Sequence, residues 1–448
     1  MSGVAETAAQ PAQHLVSQTI TLNARKVQPM LRTGKLLLLI LLAASLPDMR
    51  AEAENRIDRI RPDAPELAAY GAYAIGVRTL DLVNPGQIDM MKLDPAQPKP
   101  DPLPRYDRPI RVEIWYPAEP GAKGVTALKA LVRDGKTEAT LQGKAVRDAA
   151  PAKDAKALPL VIISHGFPGN RYLLSPLAEN IASKGYVVVT IDHTDSTYDT
   201  LEARSFASTL VNRSLDQHFV LDRITKLSSE SSFFLKDKVD TNKTAVIGYS
   251  MGGYGTLITA GAKLTRQAID STDPMWSAPF GTLAHELPYD PRVKTVIVFA
   301  PAGWSKGFFD AESIKGLKVP VLFGGGSLDD VVGYDTGIRP TWQAAASVDR
   351  ALLTFENGGH NAGPLIPAPE EADKIDPDRG VNLLTHYIDA VWDPVRLDNL
   401  SQHFVTAWLG KYLKSDPKMD GYLEPDAWKG FPEKTARGLR FETLKAGR

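Results

Sequence analysis

Two early stretches, residues 72–80 and 110–116, alternate apolar and polar positions, the period expected of strands with one buried face. Farther along, the pattern changes to short unbroken apolar runs at 158–164, 186–191, 244–248, 293–299, 319–323 and 350–355. Runs of that length, rich in Val and Ile, suit strands buried on both sides. Between them lie helical stretches at 173–184, 215–227 and 254–262, and residues 401–413 repeat apolar positions at i, i+3, i+4 and i+7. This succession predicts an α/β fold, a mostly parallel central sheet with helices on both faces. Ligands of such a sheet bind beyond the carboxyl ends of its strands.

The intervening segments are less regular. Residues 94–104 carry five prolines and read as a loop. Residues 122–156 are polar, rich in Ala and Lys, and read as a weakly helical insertion. Residues 264–290, with Pro274, Met275, Trp276 and Phe280, are expected to form a small cap over the site. Residues 415–448 are polar with scattered aromatics and are expected to wrap the surface. No internal repeat occurs, so residues 70–414 are taken as one catalytic domain.

The first 53 residues do not belong to this pattern. Arg32 and Lys35 precede an apolar run from Leu37 to Leu46, and Ala51 and Ala53 are the small residues that a signal peptidase reads. The run is too short to cross a bilayer core of about 30 Å as a helix. Residues 1–53 are therefore expected to be a secretory signal with an N-terminal extension, translation starting either at Met1 or at Met30. The expected location is the periplasm or the exterior, with no stable membrane span after cleavage. An uncleaved signal that anchors the chain is the alternative.

Composition narrows the chemistry. The 448 residues carry a formal net charge of −1, which gives no ground for a nucleic-acid partner. There is no cysteine, so thiolate metal sites, disulfides and a cysteine nucleophile are all excluded. None of the histidines has metal-ligand spacing with another, and no metal or organic cofactor is expected.

The informative motif is Gly248-Tyr249-Ser250-Met251-Gly252, placed after a β-branched run and before a helical stretch. A serine on a tight strand-to-helix turn stands clear of both elements, and glycines on either side relieve the clashes of such a turn. The following helix aims its first N–H groups at an oxyanion. Ser250 is thus the candidate nucleophile, and Met251 supplies one oxyanion donor. The loop His165-Gly166-Phe167-Pro168 follows the strand at 158–164, and the Phe167 N–H is the second candidate donor. Pro168 has none to give. In this chain order an acid and then a histidine come next. Asp329, after the strand at 319–323, is the candidate acid, with Asp330 its neighbour as the alternative. His360, in Asn357-Gly358-Gly359-His360 after the last strand, is the candidate base. Tyr249 and Trp304 are candidate substrate-binding residues, and Phe167 and Leu328 are further apolar candidates for the acyl pocket.

Several segments together resemble the dienelactone-hydrolase-like and platelet-activating-factor-acetylhydrolase-like branch of the α/β hydrolases. They are Gly76-Val77-Arg78-Thr79-Leu80, Val112 through Trp115-Tyr116-Pro117, Ser164-His165-Gly166-Phe167, Gly185 through Asp192-His193, and the two glycine-rich motifs around Ser250 and His360. The resemblance implies the α/β-hydrolase fold and a serine esterase acting on small-molecule esters, short-chain or lipid-type, with Ser250, Asp329 and His360 as its triad. It does not extend to the cysteine nucleophile of true dienelactone hydrolases. An amidase or acyltransferase would use the same residues, and a binding protein could share the fold. The oligomeric state and the natural ester are left open.

Overall fold

Runs of β-branched and aliphatic residues become the strands of the computed structural model, which describes residues 55–202, 204–270, 279–280 and 287–448. In chain order these are β1 (Asn55–Arg56), β2 (Ala74–Ile88), β3 (Arg105–Ala118), β4 (Ala127–Leu131), β5 (Glu138–Gln142), β6 (Val146–Arg147) and β7 (Leu158–Ser164). They continue with β8 (Val187–Asp192), β9 (Val239–Tyr249), β10 (Val293–Phe299), β11 (Val321–Gly326), β12 (Arg350–Phe355) and β13 (Leu439–Leu444). Ten of them form one sheet in the order β13-β12-β11-β10-β9-β7-β8-β3-β2-β6. From β12 to β8 every neighbour is parallel, and the antiparallel pairs β3–β8, β2–β3 and β12–β13 lie outside that block. All seven residues of β7 are buried, as expected for a strand covered on both faces.

Helices α1 (Ser175–Ser183), α2 (Ser205–Leu227) and α3 (Met251–Thr259), with the closing helix Pro394–Lys414, supply the two covering layers. Register separates the faces. Gly248 pairs with Val298, and a Cβ on Gly248 would meet Thr256 of α3 at 2.4 Å, so these positions face α3. Thr295, of opposite parity on β10, accepts a hydrogen bond from Trp408 Nε1 of the closing helix at 2.7 Å. Thus α3, with α2 against it, covers one face, and the closing helix, with α1 against it, covers the other. Among the described residues no helix is long and apolar enough to cross a membrane.

Three segments differ from their expected form. Residues 122–156 are not helical. They hold an antiparallel β4–β5 hairpin that joins β1 in a three-stranded sheet. The reason is a period of two: Leu128 and Ala130 are buried on one strand with Lys129 turned outward, and Ala139 and Leu141 are buried on the other with Thr140 between them. Residues 415–448 wrap the surface only in part, because Leu439–Leu444 completes an edge of the main sheet and buries Phe441. Most of the expected cap at 264–290 lies outside the described residues, as does the whole expected signal segment, residues 1–53. The described part of the cap includes a short helix, Arg266–Asp270, and Phe280, which packs edge-on against Phe308.

Candidate active site

The elbow is built by steric necessity. Ser250 has φ 53° and ψ −116°, a conformation that is costly for any residue with a Cβ. The turn closes only because its neighbours are glycine. A Cβ on Gly248 would sit 2.3 Å from the Gly252 carbonyl oxygen, and one on Gly252 would sit 2.1 Å from that of Ser164. Three backbone bonds hold the turn: Ser250 N donates to Phe299 O, and Ser250 O accepts from Tyr254 N and Ala302 N.

At that turn the structure brings together three residues far apart in the chain. Ser250 Oγ lies 3.0 Å from His360 Nε2, and His360 Nδ1 lies 2.8 Å from Asp329 Oδ2. Asp329 is acceptor-only, so the proton of this pair sits on Nδ1, which leaves Nε2 to accept from the serine hydroxyl. Asp329 is buried, and its other oxygen accepts the Val331 and Val332 N–H groups at 2.9 and 3.0 Å. These bonds fix the carboxylate where β11 ends. Asp330 is exposed at the cleft rim and does not touch the histidine.

The Phe167 and Met251 N–H groups have no hydrogen-bond partner among the described residues. Gly166 lies against the elbow, since a Cβ there would stand 3.4 Å from Ser250 Cβ. Its carbonyl is held from behind. It accepts from Arg213 Nη2 at 3.2 Å and lies 2.7 Å from His165 Nδ1. Arg213 also donates to the His165 carbonyl and to Ser196 Oγ. In the trans Gly166–Phe167 peptide the N–H points opposite to the C=O, so these bonds turn the Phe167 N–H away from Arg213. Burial pushes Arg213 down to about 9.

Beneath this loop lies a second chain of the same residue types. Ser164 Oγ is 2.8 Å from His193 Nε2, and His193 Nδ1 is 2.9 Å from Asp216 Oδ2. All three are buried, and Arg108 donates to both oxygens of Asp216 at 2.9 and 3.0 Å. Burial, then the charges of Arg213 and Arg108, hold His193 well below its ordinary value and therefore neutral. With no access to solvent, this set braces the sheet under the loop and reaches no substrate.

Ser250 and His360 open on a cleft of about 570 Å³, within the range of small-molecule pockets. Phe167, Tyr249 and Leu328 line it. Trp304 does not. It sits in the turn Trp304–Lys306 and packs, half-buried, against the hydrophobic core. Tyr249 is more than a wall: its hydroxyl donates toward Asn361 Oδ1 at 3.1 Å and the His360 carbonyl at 3.3 Å. Residues 385–391 form the opposite wall and clamp the histidine loop. Asp389 accepts from Gly359 N at 2.7 Å, and Asn361 Nδ2 donates to the Thr385 and Ile388 carbonyls. These partners are polar residues outside any periodic run, so only Asn361, beside His360, stood near a legible motif. Among the described residues no three His, Asp or Glu side chains gather as metal ligands.

Similarities to known proteins converge on this region. A family model described as PET hydrolase-like matches residues 148–281. Cutinase 2 of Thermobifida cellulosilytica is 28% identical over 208 residues, 46% of this chain and 62% of that protein. Cutinase cut1 of Thermobifida fusca is 28% identical over 208 residues, 46% of this chain and 50% of its own. The chain thus spans between half and two thirds of the length of these curated relatives. The bis(hydroxyethyl) terephthalate hydrolase of Streptomyces coelicolor is 34% identical over 108 residues, 24% of this chain and 30% of that one. A solved ferulic acid esterase from Streptomyces cinnamoneus superposes with a TM-score of 0.54 at 22% identity, covering 84% of this chain and 99% of its own. These similarities, to PET hydrolase-like proteins and cutinases, are consistent with the resemblance to dienelactone-hydrolase-like esterases at the level of the superfamily. With its parallel block of strands and its strained strand-to-helix elbow, the chain has the α/β-hydrolase fold, and its residues 148–281 are similar to the PET hydrolase-like family.

Proposed function

We propose that this protein is a serine hydrolase of carboxylic esters that works through an acyl-enzyme. The observation that carries the reading is the Ser250–His360–Asp329 chain of hydrogen bonds, 3.0 and 2.8 Å long, on a strained elbow at the floor of an open cleft. His360 Nε2 takes the Ser250 proton as Oγ attacks the ester carbonyl, and Asp329 stabilises the imidazolium that forms. The Phe167 and Met251 N–H groups receive the oxyanion, each donor worth about 3–4 kcal/mol in comparable sites. As the C–O bond breaks, His360 returns the proton to the leaving alcohol. It then takes a proton from the water that attacks the acyl-enzyme, and on collapse of the second intermediate returns it to Ser250 Oγ. The names of the relatives, cutinases and a terephthalate ester hydrolase, support esters over amides as the substrate class. Export of the chain, with cleavage after Ala53, belongs to the same proposal, supported by Arg32 and Lys35, the apolar run Leu37–Leu46 and the small residues Ala51 and Ala53.

Hydrolysis of p-nitrophenyl acetate, butyrate and octanoate by the protein and by its Ser250→Ala variant tests the reading. Activity that vanishes in the variant, with a rank order set by acyl length, is the expected result. Equal rates in both would overturn it. Mass spectrometry of the N-terminus of exported protein tests the cleavage site.

A further inference from the structure

The catalytic cleft contains a cation without an anionic partner among the described residues. Arg133, two residues after β4, is half-buried and lines the cleft together with Ser250 and His360. It also lines an adjoining cleft of about 460 Å³ with Lys136, Lys374 and Arg379. Its Nη1 donates to His386 Nδ1 at 2.9 Å, and His386 Nε2 lies 2.8 Å from the Tyr198 hydroxyl. A guanidinium only donates, so His386 Nδ1 accepts and the imidazole is neutral with its proton on Nε2. Arg133 Nε is buried with no hydrogen-bond partner among the described residues.

Among the described carboxylates nearby none bonds to Arg133, and Asp378, which lines the adjoining cleft, is exposed. Asp134 pairs with Lys374 at 2.7 Å, and Asp376 faces Arg379 at 3.6 Å. Asp389, on the far wall of the catalytic cleft, accepts the Gly359, Val391 and Trp392 N–H groups. Asp330 stands exposed at the rim. No carboxylate forms an ion pair with Arg133 among the described residues. Burial and then the like charge of Arg379 push its guanidinium below the ordinary value. Compare Arg108, bound to Asp216 and Asp195, and Arg171, bound to Glu113 and Asp192. Other buried guanidiniums are met by carboxylates, as these are, or by carbonyl oxygens, as Arg213 and Arg350 are, whereas Arg133 faces an imidazole and the open cleft.

We propose that Arg133 is a recognition residue for a carboxylate on the substrate, so that the preferred ester is anionic, of the class of half-esters of dicarboxylic acids. The planar fork of N–H groups suits a carboxylate presented from the cleft that Arg133 lines. The proposal rests on the esterase reading for turnover, but the anion site can be tested without turnover.

Two matched esters separate the contributions: mono-4-nitrophenyl terephthalate and its methylated, neutral counterpart. The rigid ring keeps the free carboxylate from attacking its own ester. A charge-assisted pair predicts a preference for the anion of roughly ten- to a hundredfold in kcat/KM, carried by KM. That preference should shrink between about 20 mM and about 0.5 M salt, a test that needs no variant. Arg133→Gln should collapse the ratio of the two esters, and Arg133→Lys should restore part of it. A variant that slows both esters equally, leaving the ratio intact, would mean that Arg133 only braces His386, and would overturn the proposal. So would a wild-type protein without preference. Calorimetry of monomethyl terephthalate with the Ser250→Ala protein, with and without Arg133→Gln, reads the site directly. Binding that depends on Arg133 in a chain that hydrolyses neither ester would sink the esterase reading and keep the anion site. Absence of binding would sink the anion site alone.

Discussion

Tyr249, the residue before the nucleophile, donates its hydroxyl toward the main-chain oxygen of His360, 3.3 Å away, sharing that hydrogen with Asn361. The elbow thus ties the loop of the proposed base to the strand that carries the proposed nucleophile. Tyr249→Phe keeps the buried ring and deletes this tie. We expect kcat to fall by up to about tenfold, the worth of one net hydrogen bond, while KM hardly moves. Steady-state kinetics on one ester, beside a thermal melt, checks this. A shift in KM alone would assign Tyr249 to substrate contact instead.

The two serine–histidine–aspartate chains should behave oppositely. Ser250→Ala is expected to abolish turnover, by a factor on the order of 10⁶ if the comparison with other serine hydrolases holds. Ser164→Ala should keep turnover and lose stability, by about 1–3 kcal/mol, because His193 Nε2 would be left buried without its partner. Activity assays and urea titrations of both variants decide the matter.

Asp329 and Asp330 are separated by geometry. Asp329→Asn leaves the shape but can no longer fix the proton on His360 Nδ1, and kcat should drop by about 10⁴. Asp330→Asn, at an exposed rim position, should change kcat little. A reversed pattern would move the acid to Asp330.

Arg213 and the oxyanion loop give a sharper test of transition-state binding. Arg213→Met removes the donors that hold the Gly166 carbonyl, so the Phe167 N–H loses its fixed direction. The expected loss is about a hundredfold in kcat, close to that of one oxyanion donor, with KM nearly unchanged. Affinity for a boronic acid, which forms a tetrahedral adduct on Ser250, should fall in parallel. The milder Ser196→Ala, which deletes one anchor of Arg213, should show a smaller loss of the same kind.

Stability should fall with acid. His165, His193 and His386 are held well below their ordinary value, each chiefly by burial. His403 is pushed to about 3 by burial and then the charge of Lys184, and its Nδ1 accepts the Leu67 N–H at 3.2 Å. Unfolded, each histidine takes up a proton below about pH 6.5, whereas the folded form does not. The unfolded state then binds more protons, so stability present at neutral pH is lost as pH falls through that value. Each group adds a slope of at most about 1.4 kcal/mol per pH unit. Urea melts between about pH 4 and about pH 7 should show this, and His403→Gln should flatten the slope.

The apolar runs were legible because both faces of β7 through β12 are covered, which leaves long stretches of Val, Ile and Leu in the sequence. Strand Arg350–Phe355 matches its expected bounds. The elbow was legible because the turn permits glycine alone at Gly248 and Gly252. What stayed hidden was polar burial. Helix α2 begins at Ser205, ten residues before its apolar pattern, since Ser208, Asn212, Arg213 and Asp216 are buried against other polar groups and leave no hydrophobic period. Arg133, Asp389 and Asn361 were hidden for the same reason: their roles depend on partners distant in the chain.

The clamp on the histidine loop also sets an order of events during synthesis. Ser250 and His360 leave the ribosome before the wall at 385–391 and before Leu439–Leu444, whose pairing with Arg350–Phe355 closes the edge of the sheet from which the loop springs. A nascent chain can therefore hold both reacting side chains while their alignment is still unmade. Hydrolytic competence should arrive late, with the C-terminal strand.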